Sequence, residues 1–159
     1  MKLYENEAKE LLERYGRETP GKEGGSHVVK AQILANNRKE KGGIKFAEDR
    51  KEAEELSEEI KGVEIDGQKV EDVLIEKQID FSEEYYVSFM YDTDTRNPAM
   101  IFSRSGGTGV EDREAAKLSL PDDSQFRFRQ FLKNQGFEGR DIVKLGSTLQ
   151  KIFRVFLEE

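Results

Sequence analysis

Between Leu3 and Tyr15, Leu3, Ala8, Leu11, Leu12 and Tyr15 fall on one face of a 3.6-residue period with Glu and Lys opposite, and Gly16 follows. That spacing predicts an amphipathic helix with a glycine stop. From Gly16 to Ser26 the residues turn to Gly, Pro, Lys and Glu, with Pro20, Gly21, Gly24 and Gly25 too close together for either regular element, so a linker or loop is predicted. Val28, Val29 and Ile33 make His27 to Leu34 a strand. The polar, basic stretch Asn36 to Gly43 interrupts it before Gly43 to Phe46 resumes an extended pattern, which predicts a hairpin. Asp49 followed by Glu52 is a capping-box signature, opening a helix whose buried face is Ala53, Leu56 and Ile60 and which Lys61-Gly62 closes.

Asp66-Gly67 marks a turn and Val73 to Glu76 a buried strand. Tyr85 to Tyr91 and Pro98 to Ser103 read as two antiparallel strands around the polar loop Asp92 to Asn97. After the break Gly106-Gly107-Thr108-Gly109 the chain is expected to turn helical. Phe126, Phe131 and Leu132 mark one segment, and Ile142, Leu145, Leu149, Ile152, Phe153 and Phe156 mark the last.

Composition narrows the chemistry. The 159 residues carry 26 Lys+Arg against 33 Asp+Glu, a formal net charge of −7, and 10 Phe with 5 Tyr supply area for a core. With no cysteine, disulfides, thiolate metal sites and cysteine nucleophiles are excluded, and one histidine, His27, excludes multi-histidine metal sites. The acidic balance argues against a broad nucleic-acid surface. No apolar run is long enough to span a bilayer, so a soluble, cytoplasmic protein is the expectation.

A lysine on a strand beside a cationic, glycine-ended loop suits a polyphosphate, because ammonium and guanidinium groups neutralise charge while glycine amides approach oxygen closely. Lys30, in Val28-Val29-Lys30-Ala31-Gln32, followed by Asn36 to Gly43, has that form; the plainer alternative is a solvent-facing lysine and a charged hairpin tip. Glu76 and Glu84 stand near strand ends, where carboxylates can accept from an adenine amino group or ribose hydroxyls, or are ordinary exposed acids. Ser105-Gly106-Gly107 is either a phosphate-approach loop or a turn, with the turn favoured, and His27 is expected as a strand-edge surface residue rather than a catalytic base.

In order along the chain, Met1-Lys2-Leu3-Tyr4-Glu5 with Glu7-Ala8-Lys9-Glu10-Leu11-Leu12 and Tyr15-Gly16, then Val28 to Gln32, Gly42-Gly43-Ile44-Lys45, Val73-Leu74-Ile75-Glu76, Glu83-Glu84-Tyr85-Tyr86 and Phe102 to Gly107 resemble one family. It is the nucleotide-binding subunit of the NDP-forming acyl-CoA synthetases: the beta subunit of succinyl-CoA synthetase, citryl-CoA synthetase and ATP-citrate lyase. The resemblance implies an α+β ATP-grasp fold, two small α/β lobes with antiparallel sheets that hold the nucleotide between them, incomplete at the C-terminus. The corresponding divisions are an N-terminal helix, 1–16, packed on the second lobe, a first lobe, 26–77, and a second lobe, 78–159. Carried over by position, Lys30 contacts the phosphates of ATP, Asn37, Arg38 and Lys39 form the phosphate loop, and Glu76, Ile79 and Glu84 hold adenine and ribose. In such enzymes ATP phosphorylates a histidine of a CoA-binding alpha subunit or domain, a position that His27 does not match.

The chain departs from the family's pattern at three places. Asn36, Asn37, Lys39, Glu40 and Lys41 surround Arg38 where the family carries Gly-Gly-Arg-Gly-Lys-Ala-Gly-Gly. Those side chains crowd the phosphate approach, and Glu40 adds repulsion. The linker Gly16 to Ser26 is shorter than the family's, and the segment expected to bind Mg²⁺ lies beyond the residues present. By this resemblance the chain alone is expected to be catalytically incomplete. The loop substitutions carry a second reading, a noncatalytic ATP-grasp-like scaffold or assembly module.

Overall fold

The computed structural model describes residues 3–21, 24–35, 37–106 and 115–159, and the chain divides into two units, Met1–Asp80 and Phe81–Glu159. Asn36 of the expected phosphate loop and Gly107-Thr108-Gly109 of the expected glycine break lie outside the described residues.

The first unit is built on a three-stranded antiparallel sheet. Its order is β2-β1-β5, with β1 at His27–Ala31, β2 at Ile44–Ala47 and β5 at Val73–Lys77. Because side chains alternate along a strand, the register Val29↔Ile75 and Ala31↔Val73 puts these four residues on one face. They join Ala47 in a core with Ala53, Leu56 and Ile60 of helix α2, Arg50–Ile60. The predicted cap of α2 forms: Asp49 Oδ1 accepts from Glu52 N–H at 2.9 Å, and Glu52 Oε2 accepts from Glu48 N–H at 2.7 Å. The short hairpin β3, Glu64–Ile65, to β4, Gln68–Lys69, turns through Asp66 and Gly67. Both have positive φ, +53° and +74°, as a two-residue turn of this hand requires. Helix α1 runs from Glu5 to Arg14.

The opposite face of the same sheet carries Val28, Lys30, Leu74 and Glu76. Period 2 thus separates an apolar face under α2 from a face bearing a cation and a carboxylate. His27, expected at a surface edge, is buried at 2% exposure, because β1 is the central strand and His27 is paired to Ala47 on one side and Lys77 on the other.

In the second unit β6, Tyr86–Asp92, β7, Asn97–Ser103, and β8, Ala116–Ser119, form an antiparallel sheet in that order. The Asp92 carboxylate ties the β6–β7 turn, accepting from Asp94 N–H at 3.1 Å and Thr95 Oγ1 at 2.8 Å, and it pairs with Lys117 of β8 at 2.9 Å. The Lys117 ammonium and the Thr95 hydroxyl hold its pKa down at about 2. Helices α3, Gln125–Asn134, and α4, Gly139–Glu158, join Met100, Phe102 and Leu120 in a core of Phe128, Phe131, Leu132, Phe137, Leu149 and Phe153.

Within the stretch expected to be helical, Ala116–Ser119 is a strand: Ala116, Leu118 and Leu120 alternate with Lys117 and Ser119, a period of 2 that pairs with β7. In α3 the inward face is Phe128, Phe131 and Leu132, at i, i+3 and i+4, whereas Phe126 lies two residues before that set and is 71% exposed. The Phe153 ring lies 5.4 Å from Phe89 and 5.9 Å from Phe128, centroid to centroid. Phe153→Ala is therefore expected to lower the unfolding free energy by about 3–5 kcal/mol. Phe126→Ala should stay within about 0.5 kcal/mol of the parent. Urea denaturation followed by circular dichroism separates them, and equal losses would contradict this assignment of the core.

Candidate functional site

Glu76 is 3% exposed, on the face of the first sheet away from α2. A carboxylate so buried needs cations and hydrogen-bond donors. Lys30 of β1 and Lys9 of α1 both donate to it, one to each oxygen. The pleat explains the first partner: Lys30 faces Leu74 and Val28 faces Glu76, so Lys30 and Glu76 are diagonal neighbours on one face.

Glu5, in the first turn of α1, closes the cluster. One of its oxygens accepts from Lys30 Nζ at 2.8 Å and Lys9 Nζ at 2.9 Å, and the other from an Arg38 nitrogen at 2.7 Å. Arg38 also donates to the Ala31 carbonyl at 2.9 Å, which pins its loop to the end of β1. Three cations against two carboxylates leave one positive charge in a chain whose total is −7. Burial alone would raise the Glu5 pKa, but the bonds from Lys30, Lys9 and Arg38 outweigh it and hold it at about 2. Burial would lower that of Lys30, and the bonds to Glu5 and Glu76 outweigh it, so Lys30 stays protonated to a higher pH than a free lysine.

Of the residues picked out from sequence, the structure brings Lys30, Arg38 and Glu76 together around Glu5. Asn37 and Lys39 lie apart from them on the exposed side of the loop. Asn37 has φ +54°, and the Lys39 ammonium stands 5.4 Å from the centre of the Phe46 ring. Lys41 is paired with Asp66. Ile79 is 52% exposed at the end of the first unit.

Glu84, in the second unit, is exposed and packs on Gly106, whose N–H donates to the Glu84 carbonyl at 2.8 Å. A Cβ at Gly106 would stand 2.4 Å from Glu84 Cγ, so the glycine is what lets this carboxylate lie where it does. Sequence reading gave no role to Glu5 and Lys9. Their signal is the i, i+4 Glu–Lys pair in the helix, which by itself reads as a surface pair, and only the fold carries it onto Glu76.

Among the described residues no group of three His, Asp or Glu side chains is placed to hold a metal ion, and no helix is long and apolar enough to cross a membrane.

The depressed Glu5 pKa fixes an acid dependence. A carboxylate lowered in the folded state contributes stability that is complete above its unfolded value of 4.5 and is lost as pH falls toward about 2. Carbon-13 titration of Glu5 is expected to show a midpoint of about 2, with the first unit losing stability across that window. A midpoint at 4.5 would show that the cluster does not hold it.

The profile of the ATP-grasp domain matches residues 2–159. The chain is similar to the beta subunit of ADP-forming succinate–CoA ligase of Methanocaldococcus jannaschii, 31% identical, over 99% of this chain and 50% of that protein. The same subunit from Rubrobacter xylanophilus is 34% identical over 98% and 47%. Among solved structures, ATP citrate lyase from Methanothrix soehngenii, in complex with citrate and coenzyme A, superposes with a TM-score of 0.70 at 20% identity, covering 98% of this chain and 44% of that one. The chain spans about half the length of the curated relatives it matches. Two units with small antiparallel sheets, and a domain match over all but the first residue, make the chain a member of the ATP-grasp family.

Proposed function

We propose that this chain is the ATP-grasp portion of an acid–CoA ligase subunit of the succinate–CoA ligase or ATP-citrate lyase type, and that it binds ATP whose phosphoryl group passes to a histidine of a CoA-binding partner subunit or domain. The observation that carries the reading is the convergence of three cations on two acids, Lys30 and Lys9 on Glu76 and Glu5, and Arg38 on Glu5. Cations held in place by a buried acid present ready hydrogen-bond donors to phosphate oxygens without first having to be ordered.

In this reading the two units are the two lobes. Lys30 neutralises the phosphates, Asn37, Arg38 and Lys39 border them, and Ile79 and Glu84 serve the base and ribose, while Glu76, expected from the resemblance to join them, is taken up by Lys30 and Lys9. When bound, Mg²⁺ would supply further neutralisation of the phosphates. The acid is succinate or citrate, and the location is cytoplasmic.

A second reading, a scaffold without nucleotide, draws on the loop itself. Arg38 is turned onto Ala31 and Glu5, and Lys39 onto Phe46, so the loop's cations serve the fold. Calorimetric titration with ATP, with and without Mg²⁺, distinguishes the two. Saturable binding is expected for the parent chain and at least a tenfold loss for Lys30→Ala, corresponding to about 1.4 kcal/mol or more. No binding at millimolar ATP by a folded chain favours the scaffold. Incubation of the chain alone with ATP, CoA and succinate or citrate is expected to give no acyl-CoA, and turnover would contradict the need for a partner.

A further inference from the structure

The Glu5 carboxylate bridges Lys30 Nζ, at 2.8 Å, and Arg38, at 2.7 Å, the two cations of the cluster to which the nucleotide reading gives phosphate contacts. A carboxylate in that position satisfies the donors a phosphate oxygen would use, and it carries the same sign of charge. The helix that delivers it has no fully buried residue. Within the first unit it is tied by polar contacts: Glu5 to Lys30 and Arg38, Lys9 to Glu76, and Asn6 N–H to Gln32 Oε1 at 3.0 Å. Ionic ties of this kind weaken with salt and yield to a competing anion.

Glu76 differs from Glu5 in the property that matters. At 3% exposure it is out of reach of solvent anions, while the Glu5 side chain is 22% exposed. If Glu5 leaves, Glu76 still holds Lys30 and Lys9, and three cations against one carboxylate raise the local charge from one to two positive units.

Resting on the nucleotide-binding reading above, we propose that Glu5 is an internal stand-in for phosphate, an autoinhibitory contact through which α1 covers Lys30 and Arg38 in the free protein and which the nucleotide's phosphates displace. Glu76 is the fixed part of the device and Glu5 the movable part. Helix α1 then sets the affinity of the site by the strength of one removable carboxylate contact.

Two measurements on the 159-residue chain test this. The first is calorimetric titration of the parent, Glu5→Gln and Lys30→Ala with Mg-ATP, each checked for native circular dichroism. Glu5→Gln keeps the side chain's size and removes its charge, and is expected to bind about fivefold tighter or more. The second needs no variant: amide hydrogen exchange across residues 5–14 of the parent, which is expected to quicken when ATP saturates the site. ATP binding with no gain in Glu5→Gln and unchanged or slower exchange in α1 would overturn the inference and make Glu5 a positioning residue for Lys30. Absence of ATP binding in every folded variant would instead remove the nucleotide reading and this inference with it, so the two failures are told apart.

Discussion

A glutamate at 3% exposure on a sheet face has to be neutralised where it stands, and meeting that demand at Glu76 organises the first unit. The partner on the sheet must sit on the same face, which the pleat allows only at alternate positions of β1, and Lys30 is the residue there. The second partner, Lys9, comes from a helix with no fully buried residue, so the ionic face is part of what holds α1 to the sheet. Removing one member of such a set leaves an uncompensated charge, which is why the cluster behaves as a unit. The other face of the sheet is free to be apolar, and Val29, Ala31, Val73 and Ile75 pack with α2 there.

The same constraint joins structure to proposed chemistry. Donors already oriented by a buried acid need little reorganisation to meet an anion, and a site of net positive charge can exist in a chain of net charge −7 because the surplus is local. The loop's cations are absorbed into the fold: Arg38 ties the loop to β1, Lys41 pairs with Asp66, and Lys39 covers Phe46. The chain belongs to the ATP-grasp family and spans about half the length of the curated relatives it matches.

What could be read from sequence follows from the range of each interaction. The α2 cap, the Asp66-Gly67 turn and the β6–β7 pair depend on residues a few positions apart, and these expectations agree with the structure. Strand β8 was concealed because Ala116-Lys117-Leu118-Ser119 is short and offers only two small or apolar positions, and its identity depends on pairing to β7. The α3 segment marked by Phe126, Phe131 and Leu132 agrees with the structure, but which of its three phenylalanines turn inward is set by tertiary contacts such as that of Phe128 with Phe153. Lys30 and Glu76 were legible as candidates, but their mutual bond spans 46 positions, and Glu5 reaches Arg38 across 33. No local pattern encodes such separations. His27 was misplaced for a related reason: whether a strand is central or at an edge depends on its partners, here β2 and β5.

The central claim is that the cations organised by Glu76 form a phosphate site. The most direct measurement is a crystal structure of the chain grown with a non-hydrolysable ATP analogue. The account predicts phosphate oxygens within hydrogen-bond distance of Lys30 Nζ, with Glu76 still bonded to Lys30 and Lys9. An analogue bound elsewhere, with the Lys30 ammonium bonded as before to both Glu5 and Glu76, would contradict it.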